Sequence, residues 1–152
     1  LRRPAGHYFQ SGSPALGWGI GGAVGIKLAR REAPVVVVCG DGSFNFGVPT
    51  AALWSAHRVG APFVTVILNN HAYHASKRPV QTLYPDGAAV RSGDFPETEL
   101  TPETDYALLA RACGGDGRAV DSPGDLGDAL RWALGEAKHG RCVVLDARLP
   151  RP

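Results

Sequence analysis

The stretch VVVVCGDGSFNFG, residues 35 to 47, limits the fold more than any other part of the chain. Four valines and a cysteine with no polar residue between them read as a strand buried on both faces. That pattern belongs to a covered parallel sheet and not to a half-solvated hairpin. A second such run, PFVTVILNN (62 to 70), lies beyond a helical stretch, VPTAALWSAHRVG (48 to 60), that closes on Gly60. Parallel strands need a crossover, and a helix of this length supplies it. The rest of the chain repeats the alternation. LGWGIGGAVGIKLARR (16 to 31) reads as a small-residue helix with Ile20, Val24 and Leu28 on one face. TPETDYALLARACGG (101 to 115) reads as a helix with a threonine N-cap and a proline in its first turn, and GRAVDS as a short strand. The stretch from 122 to 140 opens with Ser122 as N-cap and Pro123 at N1, carries Leu126, Leu130, Ala133 and Ala137 as its apolar stripe, and ends at Gly140. RCVVLDARL (141 to 149) is the last strand. The expected fold class is α/β: a parallel sheet with helices on both faces, one domain over residues 1–152. Residues 82 to 103 fit no period, and a loop that long reads as a functional lid. The stretch from about His74 to Thr101 is expected to be the most mobile part of the chain.

Composition narrows the function classes. The chain has 152 residues, 44% apolar and 20% charged, enough for one core. A net charge of +2 gives no reason to expect nucleic acid or a membrane as partner. No run of 18 apolar residues predicts a membrane span, and the opening LRRPAGHYFQ lacks the apolar stretch of a signal peptide. Cys39, Cys113 and Cys142 are odd in number and far apart, and Cys39 and Cys142 lie in apolar runs. They read as reduced thiols of a cytoplasmic protein, not as a disulfide frame or a zinc site. Trp18, Trp54 and Trp132 read as core or interface packing. Methionine is absent even at position 1. The expectation is a piece of a longer chain.

In an open parallel sheet, ligands bind at the carboxyl ends of the strands. Two such ends carry polar groups here: Asp41 between Gly40 and Gly42, and the pair Asn69-Asn70. If the strands are neighbours, a carboxylate, a carboxamide and nearby carbonyls form a hard oxygen site, and magnesium suits such a site when phosphate oxygens complete it. Gly40, Gly42 and Ser43 leave room for a phosphate, and a helix starting near Val48 would aim its positive end there. Rival motifs fail by position. An EF-hand loop from Asp41 would need glycine sixth and glutamate twelfth, where Phe46 and Ala52 stand; a Walker A loop would need lysine after Gly47, where Val48 stands. GWGIGG (17 to 22) fits a dinucleotide fingerprint but follows no buried strand.

The sequence GDG at 40 to 42, twenty-six further residues, and then Asn69-Asn70 resembles the diphosphate-binding motif of thiamine diphosphate enzymes. The flanks YFQSGSPALGWGIGGAVGIKLA and GDGSFNFGVPTAALWSAHRVGAPFVTVILNN are similar to benzoylformate decarboxylase and acetolactate synthase, and the resemblance runs over essentially the whole chain. It implies the carboxy-terminal, diphosphate-binding domain of enzymes about three times longer. It further implies that Asp41 and Asn70 give side-chain oxygens, and Ala72 its carbonyl, to Mg2+. Those oxygens of Asp41 and Asn70 would then lie about 3 Å apart. Gly40, Gly42 and Ser43 would face the diphosphate of thiamine diphosphate. Leu16 would wedge beneath the cofactor, and the Pro14 carbonyl would take a hydrogen bond from its amino group. The implied reaction is decarboxylation or carboligation of a 2-oxo acid.

Two departures stand against that pattern. After the paired asparagines the chain reads HAYHASKRP, where many relatives have small residues. His74 is the candidate catalytic residue, reaching substrate from the lid side. His71 and His74 otherwise read as exposed loop histidines, and Lys77 and Arg78 either as partners of a substrate carboxylate or as a solvated pair. Second, the family's activating glutamate comes from a separate pyrimidine-binding domain, and Glu97, Glu99 and Glu103 match no such motif. The partner is expected on the same chain or on another subunit, in a homo- or hetero-oligomer. Two classes stay open: part of a 2-oxo acid decarboxylase or carboligase, including the small subunit of a split decarboxylase, or an isolated or degenerate cofactor-binding module without turnover.

Overall fold

The computed structural model describes residues 7–12 and 15–151. Four strands, β1 (Val36–Gly40), β2 (Val64–Asn69), β3 (Asp116–Val120) and β4 (Val143–Arg148), form one sheet in the order β1-β2-β4-β3, parallel at every pairing. Among the described residues seven α-helices connect and cover them: α1 (Trp18–Ala29), α2 (Asp41–Phe46), α3 (Pro49–Val59), α4 (His74–Leu83), α5 (Ala88–Ser92), α6 (Tyr106–Ala112) and α7 (Leu126–Lys138). Because successive side chains of a strand alternate, the sheet sorts its residues into two cores. On one face Val37, Ile67 and Val144 pack against Ile20 and Ala23 of α1, Leu53 and Ala56 of α3, and Tyr106 and Ala110 of α6. On the other, Val64, Val66, Val143, Leu145 and Ala147 pack against Ala129 and Ala133 of α7.

The helices cover the two faces unequally. α7 alone serves the second face and reaches β2, β3 and β4. β1 is one of two edge strands, and on its second face Val36 is half-exposed and Val38 is 62% exposed. The run of valines is thus buried on one face only. The expected apolar stripes shift as well. In α1 the buried residues are Ile20 and Ala23, while Leu28 is exposed; in α7 they are Ala129 and Ala133, with Leu126, Leu130 and Ala137 partly buried. Trp18 and Trp54 are exposed and belong to neither core, and Trp132 lies under the Arg118 guanidinium at 3.6 Å from its ring centre. The three cysteines are free thiols. Among the described residues no helix is long and apolar enough to cross a membrane.

Helix starts follow the nearest usable oxygen. α6 begins at Tyr106 and not at Thr101, because the Asp105 carboxylate accepts from Leu108 N at 2.7 Å. Ser122 caps as expected, accepting from Gly124 N, but it opens a 3-10 turn (Pro123–Asp125) ahead of α7. α6 and β3 approach so closely that a Cβ on Gly117 would lie 2.7 Å from the Ala107 α-carbon. The stretch from 74 to 103 is not a plain loop. It holds α4, with Pro79 inside it, and α5, and neither buries a residue. Between them and α6, the chain returns to pair with the turn after β2 through an isolated antiparallel bridge of Ala72 with Glu99.

α2 carries two phenylalanines in opposite surroundings. Phe44 is fully buried and meets Tyr106 edge to face at 5.4 Å, whereas Phe46 is 63% exposed. Phe44→Ala is expected to cost about 3–5 kcal/mol, lowering Tm by roughly 10 °C or more. Phe46→Ala should change stability by less than about 0.5 kcal/mol. Thermal and urea unfolding of the two variants compares them directly; equal losses would mean that α2 is rotated from this placement.

Candidate functional site

Asp41 is the first residue of α2 and directly follows β1. A carboxylate there lies beside the free N–H groups of the helix's first turn. The helix directly at this strand end is α2; α3, which does start beside Val48, follows it. Asp41 is 2% exposed. Its Oδ1 accepts from Gly42 N at 2.9 Å, and its Oδ2 is buried with no partner. A buried, unpaired carboxylate oxygen is costly, on the order of 1–3 kcal/mol or more. It is the kind of atom that a bound cation satisfies.

The neighbouring strand end is the turn after Asn69. β1 and β2 pair with Gly40 opposite Leu68, so Asp41 and Asn70 leave the same end of the sheet. Asn70 Oδ1 accepts from Ala72 N at 3.1 Å, and Asn69 Oδ1 accepts from His71 N at 3.1 Å. His71 has φ 60, a left-handed conformation that costs a non-glycine residue about 1–2 kcal/mol. The two asparagine bonds and a third, from Leu100 N to His71 O at 2.9 Å, offset that cost at roughly 1 kcal/mol each.

Small residues shape the rest. A side chain at Gly40 would meet nothing nearer than the Leu68 carbonyl at 4.0 Å, so the space above β1 is open. Gly42 is the opposite case: a Cβ there would fall 2.4 Å from the Tyr73 ring, which lies over it. Ser43 Oγ accepts from Gly17 N at 3.1 Å and thereby ties the start of α1 to α2. Leu16, next in the chain to Gly17, is 49% exposed. Pro14 lies outside the described residues.

Two groups near Asp41 feel their burial and its charge. Burial, followed by the nearby Asp41 charge, pushes the Cys39 thiol up to about 12, so it stays protonated and unreactive near neutral pH. Burial likewise pushes the Tyr106 hydroxyl up to about 12, with Asp41, Asp146 and Tyr73 adding to the effect and a hydrogen bond from Asn45 opposing it. Neither histidine is an exposed loop residue. The His71 side chain is 12% exposed and its Nδ1 lies 3.6 Å from Glu103 Oε1. His74 is half-buried, with its Nδ1 enclosed and unpartnered. It lines an open groove of about 780 Å³ together with Asn70, Arg78, Pro79, Thr82 and Leu83. Lys77 is turned away, over the Phe95 ring at 4.8 Å.

The structure therefore brings Gly40, Asp41, Gly42 and Ser43 to one strand end and Asn70, Ala72 and His74 to the next. It also adds groups that no sequence pattern singled out: Tyr73 over Gly42, Tyr106 beside Asn45, and Asp146, which accepts from Asn69 Nδ2 at 2.8 Å. Tyr73 was legible only as a neighbour of the paired asparagines, and Asp146 carried no local signal at all.

Comparison with known proteins gives the geometry a family. A family model described as "Thiamine pyrophosphate enzyme, C-terminal TPP binding domain" matches residues 1–147. Sulfoacetaldehyde acetyltransferase of Rhodobacter capsulatus is 33% identical over 132 residues, 86% of this chain and 21% of that protein. Benzoylformate decarboxylase of Pseudomonas aeruginosa is 34% identical over 134 residues, 88% of this chain and 23% of that protein. A thiamine diphosphate-dependent 4-hydroxybenzoylformate decarboxylase from Rhodococcus jostii RHA1 superposes with TM-score 0.71 at 31% identity, covering 90% of this chain and 24% of that one. The chain thus spans about a fifth of the length of the curated relatives it matches. On the family match and on this sheet with its GDG strand end, the chain belongs to the thiamine pyrophosphate enzymes and represents their C-terminal TPP-binding domain.

Proposed function

We propose that this chain binds thiamine diphosphate through Mg2+ and forms half of the active site of a 2-oxo acid decarboxylase or carboligase. The observation that carries the reading is Asp41, a buried carboxylate at a parallel strand end whose Oδ2 has no partner. The donors fit magnesium. One carboxylate, the Asn70 carboxamide oxygen and the Ala72 carbonyl offer a few hard oxygens and leave positions for diphosphate and water. Among the described residues no cluster of three or more His, Cys, Asp or Glu competes as a metal site. Gly40 leaves space for the diphosphate to approach, Gly42 and Ser43 border it, and Leu16 projects from the turn before α1 to wedge beneath the cofactor. The Pro14 carbonyl is assigned the hydrogen bond from the cofactor's amino group.

When bound, thiamine diphosphate supplies the electron sink that carbon–carbon cleavage next to a carbonyl requires. The chain's own residues do the rest. Asp41 and Asn70 fix the anionic end, which sets where the reactive end lies. His74, beside Asn70 in the groove, is placed to hold or deliver a proton near substrate, and Arg78 in the same groove offers a positive charge to a substrate carboxylate. Two of the named relatives, a decarboxylase and an acetyltransferase, frame the reaction class as lyase or transferase. The activating glutamate is assigned to a pyrimidine-binding domain, on the same polypeptide or on a partner subunit in a homo- or hetero-oligomer, because the glutamates beside the Asn70 turn match no such motif: Glu99 bridges Ala72 through its backbone and the Glu103 side chain is engaged by His71 and Arg151.

Three outcomes test the reading. In calorimetry, thiamine diphosphate with Mg2+ should bind and a nicotinamide dinucleotide should not; EDTA should abolish binding, and Asp41→Ala should weaken it by about 100-fold, equivalent to about 2.7 kcal/mol. Dinucleotide binding in its place would sink the assignment. With the 152-residue chain alone, hydrogen–deuterium exchange at the cofactor's C2, followed by NMR, should stay near the free cofactor's rate. Adding the pyrimidine-binding domain should accelerate it; fast exchange without that domain would mean that this chain carries its own activating acid. In the assembled enzyme, His74→Ala should lower kcat by about 100-fold, the lower range for a lost general acid or base. It should leave cofactor affinity within twofold; an unchanged kcat removes His74 from the chemistry.

A further inference from the structure

Asn69 and Asp146 form a buried polar pair that the proposed cofactor contacts do not use. Asn69 is 3% and Asp146 3% exposed. Both lie on the face of the sheet that also carries Ile67 and Val144, and Ile67 pairs directly with Asp146. Asn69 Nδ2 donates to Asp146 Oδ1 at 2.8 Å. Arg148 Nε donates to the other oxygen, Asp146 Oδ2, at 3.3 Å, and Arg148 Nη1 continues to Asp121 at 3.2 Å. A burial this deep holds a carboxylate only when its charge and lone pairs are met, and here they are.

We propose that Asp146 is a positioning residue for the magnesium-binding turn: through Asn69 it fixes the backbone that presents Asn70 and Ala72. The proposal rests on reading Asp41, Asn70 and Ala72 as the metal's ligands. An ionised carboxylate can only accept, whereas a carboxamide has a donor end and an acceptor end. Asp146 therefore holds the Asn69 amide in one of its two orientations, nitrogen toward β4. That leaves Asn69 Oδ1 facing His71 N, from which it accepts at 3.1 Å. Turned round, the amide would set its oxygen against the carboxylate and its NH2 group against the His71 N–H. The orientation matters because His71 is in the left-handed region at φ 60 and stands between Asn70 and Ala72. Its neighbours are pinned too: Leu149 N donates to Asn69 O at 2.7 Å, and Asn70 Oδ1 accepts from Ala72 N at 3.1 Å. The relay runs from β4 to the turn, Asp146 to Asn69 to His71, and a residue 77 positions away sets the ligand geometry. Partners that orient metal ligands in this way typically change metal affinity by about 10–100-fold when removed.

The test uses the protein with all of its domains present and titrates Mg2+ in saturating thiamine diphosphate, for the unaltered protein, Asp146→Ala, Asp146→Asn, Asp41→Ala and Leu130→Ala. Leu130 packs in the cluster on the opposite face and serves as the control for general destabilisation. Asp146→Ala should raise the Mg2+ midpoint by about 10–100-fold. Asp146→Asn, which can still present an oxygen to Asn69, should recover most of that loss, and Leu130→Ala should leave the midpoint within twofold at a comparable drop in Tm. Amide hydrogen exchange at His71, read by NMR without metal, should quicken in Asp146→Ala and not in Leu130→Ala. If the unaltered protein binds and Asp41→Ala does not, while Asp146→Ala binds as the unaltered protein does or loses no more than Leu130→Ala, the positioning role is overturned and the function stands. If the unaltered protein shows no Mg2+-dependent binding, the function itself is overturned, and this role goes with it.

Discussion

The parallel pairing of β2 with β1 on one side and β4 on the other is the constraint on which the rest of the molecule depends. β2 is buried along its length apart from Leu68, so its backbone groups have no water to turn to and must be met by both neighbours. Because all three strands run the same way, their carboxyl ends emerge together. That places Asp41, Asn69 and Asp146 side by side, although β1 and β4 are about a hundred residues apart in the chain. A different strand order would give each of these groups different neighbours. A carboxylate such as Asp41, buried with one oxygen unpaired, is tolerable only where the surrounding structure is rigid enough to hold it.

That rigidity is unequally distributed. The strand ends are backed by two cores with fully buried Phe44, Phe63, Ile67 and Leu145. The groove beside Asn70 is walled by α4, which buries no residue and contains Pro79. A proline inside a helix removes one backbone bond and crowds the preceding turn, so α4 has little of its own to hold it. The ties from this region back to the turn after β2 are short: Tyr73 N donates to Thr98 O at 2.7 Å, Leu100 N donates to His71 O at 2.9 Å, and Ala72 pairs with Glu99. Under the proposed function, the half of the site that would hold the diphosphate is built on the core, and the wall of the groove beside Asn70 is built on surface helices. Such a division suits a site that must keep one molecule fixed while admitting another.

The architecture was legible in the sequence because β1, β2 and β4 are apolar runs and the crossovers are long enough to be helical. What escaped was whatever depends on a partner remote in sequence. The valines of β1 look alike, and only the strand order makes Val38 an edge residue and Val37 a core one. α2 escaped because six residues give fewer than two turns and open on Gly-Asp-Gly-Ser, which reads as a turn. α4 escaped because its proline and polar residues hide the helical period. Thr101 reads as the cap of α6 from sequence, but the cap is Asp105, whose carboxylate stands nearer the apolar run. Among the candidate site residues, Asp41 and Asn70 could be found from one glycine-flanked carboxylate and one asparagine pair. Asp146 could not, since in VVLDARL an aspartate looks like an outward-facing residue of an edge strand.

Asn69 shows why a local motif carries less information than the structure that uses it. Two adjacent asparagines look redundant, yet strand alternation sends their side chains in different directions. Asn69 follows Thr65 and Ile67 onto the buried face and meets Asp146; Asn70 is the first residue beyond the strand and turns back on its own backbone at Ala72. One amide is spent on the fold and the other is left at the surface of the site with a lone pair still free. Neither can do the other's work. A carboxylate at 69 would face Asp146 across 2.8 Å with no cation between them, and an apolar residue there would leave Asp146 with an unmet oxygen inside the core. A neutral group that donates on one side and accepts on the other is what that position requires, and among the common side chains of that length the carboxamide of asparagine supplies it.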